Sequence, residues 1–240
     1  MGACLMELSI DTVGEQSSVA ISKQGRVLTE INWRSGRRHT PSLTPMIDFV
    51  CRQTGNTEVV KQGLEAVFVD VGPGAYGGIR SGMAAAEGLA VALDLQCVGV
   101  GRLEIEAYQH AASGLAAAIH RAARSTWAWQ MFSGSLDQWN ELGPARTGEE
   151  FELLRALGDA RRLVGNAGVI CGEPDRIEND ARASLMDAGW TLSPASLNVR
   201  RAGILAELGW RRLQDGQGVP PATLEPLYLR EPAIGPQPPQ

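Results

Sequence analysis

The segment that most constrains the fold is EAVFVDVGPGAYGGIRSGMAAAEGLAVAL, Glu65 to Leu93, which joins an apolar run, a glycine-rich loop and a small-residue helix. It predicts a strand over Ala66–Val71 and a helix over Ile79–Leu93. Free N–H groups at the start of a helix attract anions, so such a loop often holds phosphate. Two interpretations stay open: a tight turn, or an anion or partner contact with Arg80 as its side chain.

The loop fits the known nucleotide-binding motifs poorly. Gly72, Gly74 and Gly77 have the G-x-G-x-x-G spacing, but the following strand, CVGVG, lacks the carboxylate that would hold a ribose. A P-loop requires a lysine directly after its glycines, and the two lysines of the chain, Lys23 and Lys61, precede the loop. The sequence therefore excludes P-loop hydrolysis and disfavours a dinucleotide site.

The first half has the element order βββαβαβ, which is typical of a ribonuclease-H-like unit, the building block of the actin and sugar-kinase superfamily. The helix predicted in GRLEIEAYQHAA leads away from the first sheet, so a new unit begins there. The remaining predicted elements of the unit are strands over Cys4–Ile10, Ser18–Ser22, Val27–Trp33 and Cys97–Val100, and a helix in HTPSLTPMIDFVCRQTG.

The second half has a weaker pattern and predicts a second lobe. We expect an N-terminal lobe over residues 1–104, a divergent lobe over 105–231 and a disordered proline-rich tail over 232–240. The predicted elements of the second lobe are strands over Leu115–Ile119, Thr126–Phe132 and Arg162–Val164, and helices over Glu149–Leu157, Asp175–Asp187 and Val199–Leu213.

Composition narrows the classes of function. A net charge of −5 argues against this chain as the main grip on a nucleic acid. No apolar stretch reaches the roughly 18 to 20 residues of a membrane span, so we expect a cytoplasmic protein without membrane contact.

The four cysteines are far apart and indicate neither a zinc site nor disulfide bonds. His39 has Leu43 at i+4 in place of a second ligand, so no metal site is expected.

Several segments together resemble one family. They read LSIDTVGEQSSVAI, HTPSLTPMI, VDVGPGAYGGIRSGMAAAEGLAVAL, VGVGRLEIEA, LVGNAG and LEPLYLREPAI, in that order along the chain. They resemble the signature segments of the bacterial tRNA threonylcarbamoyladenosine (t6A) biosynthesis proteins TsaB, also called YeaZ. The resemblance covers most of the first 106 residues and returns near the C-terminus.

The resemblance implies an α/β protein of the actin-like (ASKHA) fold, with two ribonuclease-H-like lobes that each hold a mixed sheet with flanking helices. It implies a non-catalytic scaffold and activator of a TsaD-type catalytic subunit, acting with a TsaE-type ATPase. A homodimer through the same helices is expected when the chain is alone. This chain would require no cofactor, ATP and Mg²⁺ would act only through partner subunits, and tRNA would be contacted only indirectly.

The resemblance also implies two sets of residues. The partner interface would lie on the two first-half helices and use Leu43, Met46, Ile47, Phe49, Val50, Arg80, Met83, Ala86 and Leu89. A vestigial nucleotide or anion site would use Asp11, Thr12, Gly72, Gly74, Gly77, Gly78 and Arg80, although Asp11 also reads as a residue that caps a turn. No catalytic residue and no metal ligand is expected.

The chain departs from the family pattern at three places. Ala75 and Gly77 replace a serine and a threonine of the loop, His120 stands where an aspartate is expected, and tryptophans occur in the divergent half. Two alternatives therefore stay open. The first is an actin-like ATPase or small-molecule kinase that uses Asp11, Thr12 and the glycine loop with magnesium. The second is a homodimeric adaptor unrelated to tRNA.

Overall fold

The fold was analysed in a computed structural model that describes residues 6–36, 39–54, 63–165 and 167–229. The tail predicted over 232–240 lies outside the described residues. Among the described helices, none combines the length and the apolar character needed to cross a bilayer.

Two mixed sheets form the centres of two lobes, as the sequence predicts. The first sheet has the order β3-β2-β1-β4-β5, in which β1 pairs antiparallel with β2 and parallel with β4. Its strands are β1 (Met6–Asp11), β2 (Gln16–Lys23), β3 (Arg26–Arg34), β4 (Leu64–Asp70) and β5 (Gln96–Val100).

The second sheet repeats this arrangement. Its order is β11-β10-β6-β7-β8, with β6 antiparallel to β7 and parallel to β10, and β9 also pairs with β7. The lobes therefore share one topology, although no repeat is visible in the sequence. The strands are β6 (Leu115–Ala123), β7 (Thr126–Gly134), β8 (Trp139–Glu141), β9 (Arg146–Gly148), β10 (Gly168–Gly172) and β11 (Trp190–Leu192).

In the described residues, six α-helices cover the sheets. Two of them, α1 and α2, pack on the outer face of the first sheet, and α4 and α5 pack on the outer face of the second. Between the sheets, α3 contacts both lobes and α6 packs on the first sheet. The bounds are α1 (His39–Gln53), α2 (Tyr76–Leu93), α3 (Arg102–Tyr108), α4 (Glu150–Val164), α5 (Asn179–Asp187) and α6 (Ala202–Gln214).

One predicted strand of the second lobe is wrong. Residues Arg162–Val164 form the last turn of α4, because that helix continues until Gly165 adopts a left-handed conformation with φ of 73°. The start of α4 is set by a capping interaction, in which the N–H of Glu149 donates to Oε2 of Glu152 at 2.8 Å.

Candidate functional site

The glycine loop lies against the turn that follows β1. The hydroxyl of Thr12 donates to the carbonyl oxygen of Gly78 at 2.6 Å, and the N–H of Ala75 donates to the carbonyl oxygen of Val13 at 2.9 Å. A β-carbon at Gly78 would overlap the carbonyl oxygen of Thr12, and one at Gly74 would overlap that of Val13. Close approach of two backbones accounts for these glycines, which favours the tight-turn interpretation.

The remaining loop residues have separate environments. Gly72 has φ of 102°, donates its N–H to Oδ1 of Asp70 at 2.8 Å, and accepts a hydrogen bond from the N–H of Arg102 at 2.7 Å. Gly77 is exposed. The guanidinium of Arg80 lies 4.1 Å from the centre of the Tyr76 ring. None of these contacts indicates a bound anion.

Asp11 is buried at the end of β1 and has two partners. Its Oδ1 accepts the N–H of Val13 at 3.2 Å, which confirms the predicted role in the turn. Its Oδ2 accepts a hydrogen bond from Nε of Arg200 at 2.9 Å. Arg200 also donates from Nη2 to the carbonyl oxygen of Gln16 at 3.1 Å. The carboxylate predicted near a phosphate is therefore paired with a cation of the chain itself.

Two further carboxylates surround Arg200. Its Nε lies 3.8 Å from Oδ2 of Asp70, and its Nη1 lies 3.6 Å from Oε1 of Glu106. Burial opposes the charge on Arg200, but the carboxylates of Asp11, Glu106 and Asp70 raise its pKa above the usual value. Burial, together with the nearby charge of Asp11, also raises the pKa of Asp70 well above its usual range.

The charged groups continue into the second lobe. Nε of Arg102 donates to Oε1 of Glu106 at 2.8 Å, and Nη2 of Arg102 lies 3.4 Å from Oε1 of Glu173. Glu173 also contacts Nδ1 of His120 at 2.9 Å. Burial opposes ionisation of Glu173, but its contacts with His120, Arg102 and the N–H of Arg121 lower its pKa to about 2. Burial and the nearby Arg102 lower the pKa of His120, although its contact with Glu173 acts in the opposite direction.

Two of the cavities formed by the described residues lie between the lobes. The cavity beside the glycine loop has a volume of about 100 Å³, and a second one, which contacts Val71 and Gln130, has a volume of about 440 Å³. Ligand pockets typically have volumes of about 300 to 1,000 Å³, so a nucleotide would not fit in the cavity beside the glycine loop without movement of the lobes. In the part of the chain that the structure describes, no three His, Cys, Asp or Glu side chains form a metal-binding group. The cavity beside the glycine loop is lined by Pro73, Gly74, His120, Ala122, Ala128, Thr147, Leu227, Tyr228 and Leu229.

The two predicted interface helices lie side by side on the outer face of the first lobe, but several predicted contact residues point inward. Four of them, Leu43, Val50, Met83 and Ala86, are buried in the core of the lobe. We correct their assignment, because they pack against the chain's own sheet. The side chain of His39 lies outside the described residues.

Five predicted interface residues remain accessible. Phe49 is 45% exposed, Arg80 is exposed, and Met46, Ile47 and Leu89 are half-buried. Sequence reasoning missed the exposed stripe of α2, which Gly77, Arg80, Ala84, Gly88 and Val91 form at intervals of three and four residues. Val91 is 70% exposed. The regular interval was visible in the sequence, but which face points outward depends on packing.

Comparisons with known proteins give a consistent result. A family model described as TsaD, tRNA N6-adenosine threonylcarbamoyltransferase, matches residues 27–142. The TsaB of Haemophilus influenzae is 30% identical over 146 residues, which cover 56% of this chain and 60% of that protein. The TsaB of Escherichia coli is 32% identical over 96 residues, 40% of each chain. The chain therefore matches about half the length of these curated relatives.

Solved structures extend the similarity to the whole fold. YeaZ from Pseudomonas aeruginosa has a TM-score of 0.73 at 22% identity and covers 94% of this chain and 100% of its own. In sequence the chain is similar to TsaB proteins, and in fold it is similar to YeaZ. A hexokinase from Thermus thermophilus has a TM-score of 0.51 at 12% identity and covers 88% of this chain and 100% of its own. Both likenesses concern the fold alone, and they confirm the predicted two-lobed, actin-like architecture.

Proposed function

We propose that this chain is a non-catalytic scaffold and activator of t6A synthesis, and that it binds a TsaD-type catalytic subunit. The observation that carries the proposal is the buried contact between Arg200 and Asp11. In the ATPase alternative Asp11 would face a metal-bound phosphate, whereas here its carboxylate is paired with Arg200 of the same chain. The names of the curated relatives, TsaB and TsaD, support the choice of process.

The partner surface would be the outward side of α1 and α2. Phe49 supplies an exposed aromatic ring on α1, and Val91 supplies an exposed apolar side chain on α2. Between Arg80 and Val91 the stripe contains only Ala84 and Gly88, whose lack of bulk allows a partner helix to approach closely. An exposed apolar surface on a soluble lobe is typical of a protein contact.

Activation would operate by differential binding. A partner that exists in an active and an inactive conformation shifts toward the one that this chain binds more tightly. ATP and Mg²⁺ would act through the TsaD-type and TsaE-type subunits. The net charge of −5 supports indirect contact with tRNA.

Reconstitution tests the proposal. Threonylcarbamoyl transfer to tRNA should be stimulated when this chain is added to its TsaD-type and TsaE-type partners, and no stimulation would overturn the activator role. Light scattering should show that a homodimer of the isolated chain exchanges for a heterodimer on mixing. A homodimer that persists beside the catalytic subunit would instead favour the alternative adaptor function.

The alternative actin-like ATPase makes a different prediction. Mg-ATP should then stabilise the isolated chain, because a ligand that binds only the folded state raises the unfolding temperature. We expect no change in unfolding temperature, because Arg200 pairs with Asp11 and Thr12 donates to Gly78. A concentration-dependent rise with Mg-ATP, absent with Mg²⁺ alone, would support the ATPase.

A further inference from the structure

Arg200 lies among three carboxylates that are almost completely removed from water. The side chains of Asp70, Asp11 and Glu106 are 0%, 1% and 3% exposed, and that of Arg200 is 6% exposed. Carboxylates repel one another in such a place unless a cation lies between them. The guanidinium of Arg200 is within 4 Å of all three.

Two oxygens of this cluster have no other partner in the part of the chain that the structure describes. Oδ2 of Asp70 and Oε2 of Glu106 are buried and accept no hydrogen bond. A buried polar atom without a partner is strongly unfavourable. The positive charge of Arg200 lies near Asp70 and Glu106, and that of Arg102 also pairs with Glu106, so these cations make the burial of the two carboxylates tolerable.

The four residues come from distant parts of the chain. Asp11 and Asp70 stand at the ends of β1 and β4, neighbouring parallel strands of the first sheet. Arg200 lies in the connection from β11 of the second sheet to α6. Glu106 lies on α3 and leads through Arg102 to Glu173 beyond β10, so the charges bridge both lobes.

We propose that Asp11, Asp70 and Glu106 form a cation-binding site that the chain fills with its own Arg200, and that this cation holds the two lobes in one arrangement without a bound ligand. The proposal does not depend on the identity of the partner. A variant that lacks the Arg200 side chain should therefore bind a small cation from solution. Guanidinium best matches the missing side chain in shape and hydrogen bonding.

The test uses the full chain with Arg200→Ala, and Arg201→Ala as its matched control. Arg201 is 53% exposed and pairs with Glu30 at the surface, so its loss should change the unfolding temperature little. Arg200→Ala should lower the unfolding temperature by roughly 10 °C, because it leaves buried charges without a partner. It should also increase the radius of gyration in small-angle scattering.

Chemical rescue supplies the decisive measurement. Guanidinium chloride at millimolar concentration, far below denaturing levels, should raise the unfolding temperature of Arg200→Ala and restore its radius of gyration. Sodium chloride at the same concentration should do neither, and the wild-type protein should show no rise. Absence of rescue by guanidinium would overturn the cation site.

A second variant covers the case in which Arg200→Ala does not fold. Arg200→Met combined with Asp11→Asn and Asp70→Asn removes the unpaired charges as well as the cation, so it should fold. Its radius of gyration should exceed that of the wild type, and guanidinium should leave it unchanged. A radius equal to that of the wild type would show that Arg200 does not hold the lobes together.

Discussion

The hydroxyl of Thr12 donates a hydrogen bond to the carbonyl oxygen of Gly78 across 2.6 Å and so joins the turn after β1 to the first turn of α2. Gly78→Ala should destabilise the protein by about 2 to 4 kcal/mol, because the new methyl group would overlap the carbonyl oxygen of Thr12. Urea unfolding measures the change.

The neighbouring glycine gives a matched control. A β-carbon at Gly77 would meet no atom within 4 Å, so Gly77→Ala should leave stability unchanged or raise it by up to about 1 kcal/mol through helix propensity. An equal loss of unfolding free energy in the two variants would contradict the conclusion that contact with the turn after β1 requires glycine at position 78.

The exposed stripe of α2 leads to a second prediction. Val91→Glu should weaken binding to the TsaD-type partner at least about tenfold, because it puts a charge into an apolar contact. Its unfolding temperature should stay close to that of the wild type, since Val91 is 70% exposed. Leu163→Glu is the control, since Leu163 lies on α4 of the other lobe and is 75% exposed. Calorimetric titration that finds both variants equally impaired would place the contact elsewhere.

The contact between His120 and Glu173 predicts that the stability of the fold depends on pH. The pKa of His120 is lowered in the folded protein, so the unfolded chain takes up a proton first as the pH falls below about 6.5. The contribution of His120 to the unfolding free energy is therefore fully present above that pH. It decreases as the pH falls to the pKa that His120 has in the folded protein. His120→Gln retains a donor for Glu173 and does not titrate.

Unfolding free energies at pH 7 and pH 5 measure this dependence. Between pH 7 and pH 5, the unfolding free energy of the wild type should fall by up to about 2 kcal/mol more than that of His120→Gln. Comparing the two proteins cancels the contributions of other titrating groups, such as His110, whose pKa is also lowered by burial. A difference that stays constant with pH would show that His120 has an ordinary pKa in the fold.

The buried cysteines predict low thiol reactivity. Burial, helped by nearby acidic groups, raises the pKa of Cys51 and Cys97 to about 11. Burial also raises the pKa of Cys171, which is inaccessible. In a Cys4→Ser variant, Ellman's reagent at pH 8 should label these three thiols only after unfolding, because the thiolate is the reactive form. Rapid labelling of the native variant would indicate that one lobe opens readily.

The first lobe could be predicted from sequence because its signals are local. Alternating and helical apolar patterns place β1 to β5, α1 and α2 within a few residues of their observed bounds. The short strands β8, β9, β10 and β11 are absent from the prediction, because three to five residues carry too little periodicity. The strand predicted at Arg162–Val164 failed for a related reason, because a short apolar ending cannot be distinguished from the last turn of a helix.

The charged centre was predictable only in part. Asp70 could have been found, because it ends a strand that runs parallel to β1, and β1 itself ends at Asp11. Arg200 could not have been found, because it is 189 residues from Asp11 and its local sequence contains no motif that indicates this contact. For the interface helices, the regular spacing was visible in the sequence, but only the packing of Leu43 and Met83 shows which side of each helix faces inward.

The position of α6 has a consequence for biosynthesis. Leu205 and Leu208 of this helix pack with Phe68 of the first sheet, and Gly209 lies so close to Phe68 that a β-carbon would overlap the ring. Until residue 214 has left the ribosome, one face of the first sheet lacks its cover. The strands of the second sheet precede α6 in the chain and emerge earlier. We therefore expect the part of the molecule that is synthesised first to be the part that finishes folding last.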